Sequence, residues 1–367
     1  MRILHLLNHV QEIGNGIVNV AVDLACAQAS AGCTVVVASA GGGYEDLLAR
    51  HGVRHALLDQ RRRPSNLLPM ARRYRAIAQE CQPDIVHAHM MTGVVLARSL
   101  RGNQSYSLVS TVHNEFQRSA ILMGLADRVV AVSEAVARSM MRRGVPAAKL
   151  RVICNGALHT PRQRRNLDPL PLQRPAIATV AGMYHRKGIA ELIEAFSQVA
   201  AQFPAAHLYL IGNGPDRRQF EQLAAQTPWG DRIHFEGFQP DPQRYLQSTD
   251  IFVLASRREP FGLVLAEARA AGCAVVASDV DGIPEVLEHG RTGWLVPPAD
   301  SEAIAQALTA LLQDPTQLAY WKGRAQQNLD WLSVDRMHRE TLALYAELQP
   351  SQSAISHAQK SLTPMQR

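Results

Sequence analysis

Two glutamates, Glu259 and Glu267, flank a Pro-Phe-Gly turn with seven residues between them. The turn follows a strand-like run, DIFVLAS, so we expect Glu259 in a loop and Glu267 on a helix running from near Phe261 to Gly272. The free amides and the dipole of such a helix start suit a diphosphate, and a carboxylate about two turns further along suits ribose hydroxyls. An ordinary helix with acidic residues at its start explains the same residues equally well.

Three further features place chemically useful residues at the ends of strand-like runs. His113 ends the run SLVSTVH, Lys187 stands where a helix begins, and Gly212 and Gly214 follow the run HLYLI. Ligands of parallel sheets bind beyond the carboxyl ends of the strands, which is where these residues are expected. Each also has a purely structural explanation: a histidine bonded to backbone, a solvated lysine, and a tight strand-to-helix turn. The residues by themselves leave both explanations open.

The sequence argues against several kinds of site. Its five cysteines are scattered and form no C-x-x-C pair, which argues against a disulfide framework or a structural zinc site. The first glycine-bearing turn, Gly14-Asn-Gly16-Ile-Val-Asn19, lacks the third glycine of the dinucleotide-binding fingerprint. No D-x-D metal site is evident between a strand and a loop, so we expect catalysis without a bound metal ion.

The elements that must position these residues alternate along the chain. Apolar runs typical of buried strands are separated by amphipathic stretches such as Val18–Ala31, which predicts crossover helices and parallel sheets. The predicted strands are ILHLL, TVVVAS, IVHAH, SLVSTVH and VVAVS, then AIATVAG, HLYLIG, IHFEGF, DIFVLAS and AVVAS. The expected fold class is therefore α/β, with two doubly wound domains.

The domain boundary is expected in Leu158–Pro175, which contains four prolines and shows little periodicity. We predict an N-terminal domain over 1–170, a C-terminal domain over 171–340, and a helix end with a disordered tail over 341–367. The first 175 residues carry a net charge of +11 and the remainder −5, so we expect an anionic partner for the first half.

The segment from Glu259 through ARAAGCAVVASDVDGIPEVLEHGRTGWLVPPAD resembles the donor-site signature of the retaining family-4 glycosyltransferases, which have the GT-B fold. The resemblance covers nearly the whole chain. It includes the Ile13–Gly16 turn, STVH, VVAVSEAV, VICNG, RKGIAELIEAF, LIGNGP and FEGFQPD. It implies two Rossmann-like domains that face each other across a cleft, an N-terminal one for the acceptor and a C-terminal one for the donor.

The resemblance also implies a role for each candidate residue. Glu259 would hold hydroxyls of the donor sugar, Glu267 the ribose, and Lys187 the charge of the diphosphate. His113 would lie beside the transferred sugar, and Gly16 would let the N-terminal backbone approach the phosphates. The catalytic residues implied are thus His113, Glu259 and Lys187. The other implied donor contacts are the backbone at Phe261, Gly262 and Leu263 for the diphosphate, and Gly212, Gly214 and Phe238 around the nucleoside.

The sequence departs from the family pattern at three places. Gly182 stands where members usually carry a phosphate-binding arginine, and the neighbouring Arg186 offers the charge from a different backbone position. Val18 occupies an acidic position of the first loop. Asp281-Gly282 replaces the usual double glycine.

The implied reaction moves a hexosyl unit from a UDP- or GDP-linked sugar to a lipid-linked or polysaccharide acceptor of cell-envelope or exopolysaccharide biosynthesis. It would proceed with retention, without metal and without a cofactor, the nucleotide-sugar being a co-substrate; domain closure about the linker would assemble the site. A nucleotide-sugar 2-epimerase and a non-catalytic nucleotide-sugar-binding protein remain as alternatives.

The segment Arg61–Arg75 places six arginines around Leu67, Leu68, Met70 and Tyr74. Arginines beside an apolar ridge suit an anionic membrane surface, which would fit a lipid-linked acceptor. The alternatives are a solvated basic helix face, and an acceptor that is an anionic polysaccharide or another soluble molecule. We expect no nucleic-acid partner, no signal peptide, and a cytoplasmic protein peripheral to the inner face of the plasma membrane.

Overall fold

The first half of the chain forms a parallel seven-stranded sheet. The computed structural model describes residues 1–163 and 167–349, so the predicted disordered tail after Pro350 lies outside the described residues. The strands are β1 (Arg2–Leu6), β2 (Thr34–Ser39), β3 (Arg54–Leu57), β4 (Ile85–Ala88), β5 (Ser107–Val112), β6 (Arg128–Ala131) and β7 (Leu150–Val152). Their order is β3-β2-β1-β4-β5-β6-β7, the arrangement of a doubly wound domain.

A second parallel sheet, of six strands, follows. Its strands are β8 (Ala176–Val180), β9 (His207–Ile211), β10 (Ile233–Gly237), β11 (Ile251–Leu254), β12 (Ala274–Ser278) and β13 (Trp294–Val296), in the order β10-β9-β8-β11-β12-β13. All ten predicted runs form strands, and the predicted α/β class with two doubly wound domains is confirmed. Strands β3, β7 and β13 were not predicted.

Helices cover both faces of each sheet. They are α1 (Gly16–Ser30), α2 (Glu45–Arg50), α3 (Pro64–Cys81), α4 (Met91–Ser99), α5 (Glu134–Arg142), α6 (Ile189–Ala200), α7 (Arg217–Ala225), α8 (Gln243–Leu246), α9 (Leu263–Ala270), α10 (Ile283–Val286), α11 (Ser301–Gln313), α12 (Pro315–Ala325) and α13 (Val334–Leu348). Because both faces are covered, even the polar positions of the central strands are buried, as in β4.

The last helix returns to the first sheet. Helix α13 begins after Ser333, whose hydroxyl accepts from the Arg336 amide, and it packs along α1. Arg336 donates to the carbonyl oxygens of Cys154 and Asn155, and Tyr345 is fully buried against the N-terminal sheet. The first part of α13, which precedes the predicted boundary at 340, therefore packs on the N-terminal domain.

The predicted linker is anchored at both ends. Arg162 donates two hydrogen bonds, of 2.8 and 2.9 Å, to the buried carboxylate of Asp23 on α1. At the other end Arg174 pairs with Asp250, just before β11. These contacts hold the connection against both domains on either side of residues 164–166.

Candidate functional site

A cleft of about 840 Å³ lies between the two domains, where loops after strands of both sheets meet. Eleven of the twelve predicted site residues line it: Gly16, His113, Arg186, Lys187, Gly212, Phe238, Glu259, Phe261, Gly262, Leu263 and Glu267. Gly214 is not among the lining residues. The structure thus brings together residues that are up to about 250 positions apart in the chain.

Glu259 and Lys187 form an ion pair inside the cleft, with their side chains 11% and 15% exposed. The backbone of Glu259 is fixed by the neighbouring loop, since its amide donates to Asp281 Oδ2 at 3.0 Å and its carbonyl accepts from the Gly282 amide at 3.0 Å. A Cβ at Gly282 would lie 2.1 Å from the Pro260 oxygen, so only glycine fits there. The DVDGIPE loop thereby positions Glu259.

The predicted helix start after this turn is present as α9. Gly262 precedes it with φ of +87°, and the first amides of a helix have no partner within it. Phe261 is buried in the core, so it meets the cleft with its backbone. The free amides and the positive end of the α9 dipole face the same space as the Lys187 ammonium, an arrangement that suits an anion.

Glu267 lies one turn further along α9 and is half-buried in the cleft wall. Burial raises the pKa of its carboxyl to about 7; the Arg162 guanidinium lowers the pKa, and the Asp23 carboxylate raises it. Arg162 is a linker residue that the sequence analysis gave no role. Its pairing with Asp23 places a cation beside Glu267, and a lone arginine in a proline-rich segment gave no signal of this.

The first glycine-bearing loop closes the opposite side of the cleft. A Cβ at Gly16 would lie 3.1 Å from Leu263 Cδ1, and one at Gly14 would lie 3.2 Å from the Phe238 ring. The loop leads into α1, whose cap is Asn15, accepting from the Ile17 amide. The absence of side chains at both glycines therefore lets the N-terminal backbone reach the C-terminal wall of the cleft.

Gly212 and Gly214 are explained by packing within the C-terminal domain. A Cβ at Gly212, where φ is +140°, would lie 1.9 Å from the Ala181 oxygen. A Cβ at Gly214 would lie 2.5 Å from the Met183 oxygen. The structural explanation is sufficient for both, and only Gly212 also borders the cleft.

Gly182, where the sequence departs from the family pattern, lies beside a tyrosine ring. A Cβ at Gly182 would lie 2.8 Å from the Tyr184 ring, which therefore occupies the space that a longer side chain would need. The Arg186 guanidinium lies 5.5 Å from the ring centroids of both Tyr184 and Phe116, at the mouth of the cleft. The aromatic pair holds this cation where it lines the cleft from a different backbone position.

His113 lies on the N-terminal wall and is 9% exposed. Burial lowers the pKa of its imidazole to about 3, so the ring is neutral near pH 7. Its Nε2 lies 3.0 Å from Nδ1 of the buried His89. The sequence analysis missed His89, together with His5 and His87, although the alternation in IVHAH places two polar rings on one face of a strand.

Ion pairs and caps join the two domains beside the cleft. Arg258, next to Glu259, donates to Glu115 of the N-terminal domain at 3.1 Å and to Asp281 at 2.8 Å. The Glu285 carboxylate accepts from the first amides of α5, at 2.8 and 2.9 Å. None of these contacts was predicted: the pairs of Arg258 with Glu115 and of Glu285 with α5 join residues at least 143 positions apart, and nothing local pairs Arg258 with Asp281.

The basic segment Arg61–Arg75 corresponds mainly to the first turns of α3. The prediction that Met70 and Tyr74 belong to its exposed ridge is wrong, because these residues lie on the face of α3 that packs on the first sheet. Leu67 and Leu68 are exposed, at 51% and 57%. Leu57, at 63%, adds a third exposed apolar residue from β3.

No helix within residues 1–163 and 167–349 is both long enough and apolar enough to cross a membrane.

Family models match both halves of the chain. Residues 14–157 match Glycosyltransferase Family 4, and residues 163–328 match Glycosyl transferases group 1. The chain is 30% identical to the alpha-maltose-1-phosphate synthase of Mycolicibacterium smegmatis, over 72% of this chain and 73% of that protein. It is 32% identical to the putative colanic acid biosynthesis glycosyltransferase WcaL of Escherichia coli, over 56% of this chain.

The matches to several curated relatives are partial, whereas the structural matches are nearly complete. The chain spans about half the length of WcaL, 52%, and 43% of the lipopolysaccharide core biosynthesis glycosyltransferase LpsE of Rhizobium meliloti. The crystal structure of Anabaena HepE in complex with UDP and glucose superposes with a TM-score of 0.80 at 20% identity, over 94% of this chain and 99% of that one. The chain has the GT-B fold.

Proposed function

The chain belongs to glycosyltransferase family 4, and from that membership and the cleft geometry we propose that it transfers a hexosyl unit from a UDP- or GDP-linked sugar. The observation that carries the proposal is the convergence of Lys187, Glu259 and the start of α9 on one inter-domain space. Glu267 lies one turn further along the same helix and lines the same cleft, where it could contact the ribose. The proposed acceptor is a lipid-linked or polysaccharide glycan, in keeping with relatives whose names place them in colanic acid and lipopolysaccharide biosynthesis.

In the proposed reaction the diphosphate is the leaving group. The α9 amides, the α9 dipole and the Lys187 ammonium would stabilise the charge that develops as the bond between the anomeric carbon and the diphosphate oxygen breaks. The acceptor hydroxyl would attack from the face that the diphosphate leaves, and its proton would pass to the departing phosphate oxygen. The product would keep the anomeric configuration, and the fixed positive groups replace a metal ion in this scheme.

Glu259 and His113 would hold the sugar from opposite walls. The backbone of Glu259 is fixed by Asp281 and Gly282, and its carboxylate pairs with Lys187. The carboxylate is therefore preorganised to accept hydrogen bonds from sugar hydroxyls. His113 is neutral and lines the N-terminal wall, which suits a hydrogen bond rather than charge stabilisation. The two walls would therefore place the anomeric carbon between the diphosphate site and the N-terminal domain.

Arg186 is proposed to supply the charge of the arginine that Gly182 replaces. Its guanidinium is held against Phe116 and Tyr184 and lines the cleft, so a diphosphate could recruit it without a change in the fold. In this proposal the charge of Arg186 makes an arginine at position 182 unnecessary.

A donor panel tests the proposal. Purified protein is incubated with UDP- and GDP-linked hexoses, with and without lipid-linked and polysaccharide acceptors, while nucleoside diphosphate release and any change of the sugar are followed. Acceptor-stimulated release with one donor is expected. Conversion of the donor sugar to its 2-epimer without acceptor would instead establish the epimerase alternative, and binding without turnover of any donor would establish a non-catalytic protein.

The peripheral membrane role is proposed on the exposed part of α3 and its neighbours. Leu57, Leu67 and Leu68 are exposed apolar residues on a surface that also carries the exposed Arg62, Arg63, Arg72, Arg73 and Arg75. Insertion of leucines with arginines at the headgroup level is a common mode of binding to anionic bilayers. We propose that this surface holds the protein at a membrane that bears its acceptor.

A further inference from the structure

Four histidine rings form a row across the N-terminal sheet. His5 on β1 is the register partner of His87 on β4, His89 follows β4, and His113 follows β5. Neighbouring ring centroids are 4.4 to 5.3 Å apart. The row lies on the face of the sheet covered by α1 and α13, and it ends at the cleft with His113.

Hydrogen bonds connect the row from the interior to the cleft. Gln28 Oε1 on α1 lies 2.7 Å from His5 Nε2, and His5 Nδ1 lies 3.0 Å from His89 Nε2. His89 Nδ1 lies 3.0 Å from His113 Nε2. Burial lowers the pKa of all three imidazoles, to about 4 for His5 and about 3 for His113, so each ring carries a single N–H.

In a chain of hydrogen-bonded neutral imidazoles, all the N–H groups donate in the same direction along the chain. Each ring donates with one nitrogen and accepts with the other, so an acceptor at one end of the row fixes the tautomer of every ring along it. Gln28 is that end: its carboxamide oxygen faces His5, and its Nε2 donates to Tyr345 Oη at 3.4 Å. His5, His89 and His113 are then all protonated at Nε2.

A branch through α13 is compatible with the same direction. Tyr345 Oη lies 2.5 Å from His87 Nδ1, and His87 Nε2 lies 2.7 Å from Thr111 Oγ1. The tyrosine hydroxyl that accepts from Gln28 can donate to His87, whose Nε2–H then donates to the threonine. In this branch the Gln28 amide, the Tyr345 hydroxyl and the His87 Nε2–H each have an acceptor.

The hydrogen bonds also argue against a metal site. His5, His87 and His89 bring one ring nitrogen each within 4.8 Å of one another. A metal ion needs the nitrogen lone pair, yet all six nitrogens of these rings take part in hydrogen bonds. A neutral hydrogen-bonded row accounts for their arrangement without an ion.

We propose that Gln28, His5 and His89 are positioning residues that hold His113 as its Nε2–H tautomer and so direct the Nδ1 lone pair toward a hydroxyl of the transferred sugar. The proposal rests on the proposed function, in which His113 lies beside that sugar. It assigns the buried row a part in transfer rather than in folding alone. Nδ1 of His113 then accepts a hydrogen bond from the sugar hydroxyl. A ring of the opposite tautomer carries a proton on Nδ1 and cannot accept there.

Nitrogen NMR of histidine-labelled protein tests the tautomer directly. In the wild type, His113 is expected to show a protonated Nε2 and an unprotonated Nδ1, with its signals assigned from the His113→Asn variant. Gln28→Met removes the acceptor at the end of the row and should populate both tautomers of His113. Gln28→Glu keeps an acceptor at that position and should restore the wild-type pattern.

Kinetics then connect the tautomer to transfer. Gln28→Met should lower kcat about three- to tenfold, the loss expected for one hydrogen bond, while the Kd for free UDP or GDP stays unchanged. Gln28→Glu should recover kcat. A merely structural role would lower stability without this pattern of loss and rescue.

The outcomes separate the inference from the function on which it rests. A protonated Nδ1 at His113 in the wild type, or an unchanged tautomer in Gln28→Met, would overturn the inference whatever the activity. Full activity of His113→Ala together with the expected tautomers would instead remove His113 from the sugar site. The wild-type spectrum decides the first question even if a variant fails to fold.

Discussion

The two walls of the cleft carry chemically different groups. The C-terminal wall carries ions and backbone dipoles on loops: the Lys187–Glu259 pair, the start of α9, and Arg186 between two aromatic rings. The N-terminal wall presents a neutral imidazole, His113, supported by a buried row on strands. A departing diphosphate needs preorganised charge, whereas a sugar ring needs directional hydrogen bonds between neutral groups. On the proposed function, the difference means that the C-terminal wall alone stabilises the leaving diphosphate, whereas Glu259 and His113 hold the sugar from both walls.

The largest effect is expected where charge is removed from the C-terminal wall. Lys187→Ala should lower kcat by about two to three orders of magnitude, since it deletes a preorganised donor at the leaving group and leaves Glu259 unpaired. Transfer rates and Kd for the free nucleoside diphosphate should be measured together. Arg54→Ala, which breaks the exposed Arg54–Glu80 pair away from the cleft, is the matched control and should be near normal. Near-normal transfer by Lys187→Ala would contradict the claim that charge on the C-terminal wall stabilises the leaving diphosphate.

The second effect concerns the relocated cation. Arg186→Ala should weaken binding of the nucleoside diphosphate by about tenfold or more, the loss expected for a hydrogen bond to a charged group. Gly182→Arg alone should weaken nucleotide binding, because the Tyr184 ring occupies the space beside Gly182. In the double variant, Tyr184→Ala should relieve that clash and restore binding. Calorimetric titration with UDP and GDP gives both results. An inert Arg186→Ala would leave the diphosphate to Lys187 and the α9 amides.

A third effect follows from the pKa of Glu267. Because burial raises this pKa to about 7, the carboxyl gains a proton as pH falls through 7 and can no longer accept from both ribose hydroxyls. Nucleotide affinity should fall by up to about tenfold per pH unit below that point. The stability of the unliganded protein should change with pH in the opposite sense to nucleotide affinity. Because the carboxyl pKa is raised in the folded state, this group lowers the free energy of unfolding as pH rises from 4.5 towards 7.

Glu267→Gln separates the two pH effects. It should flatten the pH dependence of nucleotide binding between pH 5 and 8 and remove this group's contribution to the pH dependence of Tm. A pH-dependent affinity that persists unchanged in Glu267→Gln would assign the titration to another group.

The smallest effect is expected outside the cleft, on the exposed α3 surface of the N-terminal domain. The double variant Leu67→Asp, Leu68→Asp should reduce sedimentation with anionic vesicles several-fold. Binding should not be lost completely, because each arginine near the surface still contributes about 1 kcal/mol of attraction to anionic lipid. Met70, which is buried on the same helix, is no part of that surface. Neutral vesicles are the control. Equal recovery in the supernatant with both vesicle types, at low and physiological salt, would indicate a soluble acceptor.

The fold was largely predictable because its central strands are buried on both faces and read as apolar runs. The strands that were missed, β3, β7 and β13, are all edge strands of three or four residues. β3 has one buried position and no apolar run, and β13 is a run of only three apolar residues, one of them buried. Short, half-exposed edges carry too little hydrophobic signal to be separated from loops.

The candidate site was predictable where local motifs specify it and obscure where tertiary pairing does. The turn at Gly262 and the helix bearing Glu267 follow from adjacent residues. Arg162 with Asp23, and Arg258 with Glu115, pair across 139 and 143 positions, and nothing local marks either partner. The histidine row is intermediate, since alternation places His87 and His89 on one face but cannot show that His5 and His113 adjoin them.

A crystal structure with bound UDP or GDP tests the division between the walls most directly. The account predicts the diphosphate within hydrogen-bond distance of the α9 amides and of Lys187 Nζ, with ribose hydroxyls donating to Glu267 and His113 still bonded to His89. A nucleotide that lies against the N-terminal wall, with its diphosphate away from α9 and Lys187, would contradict it.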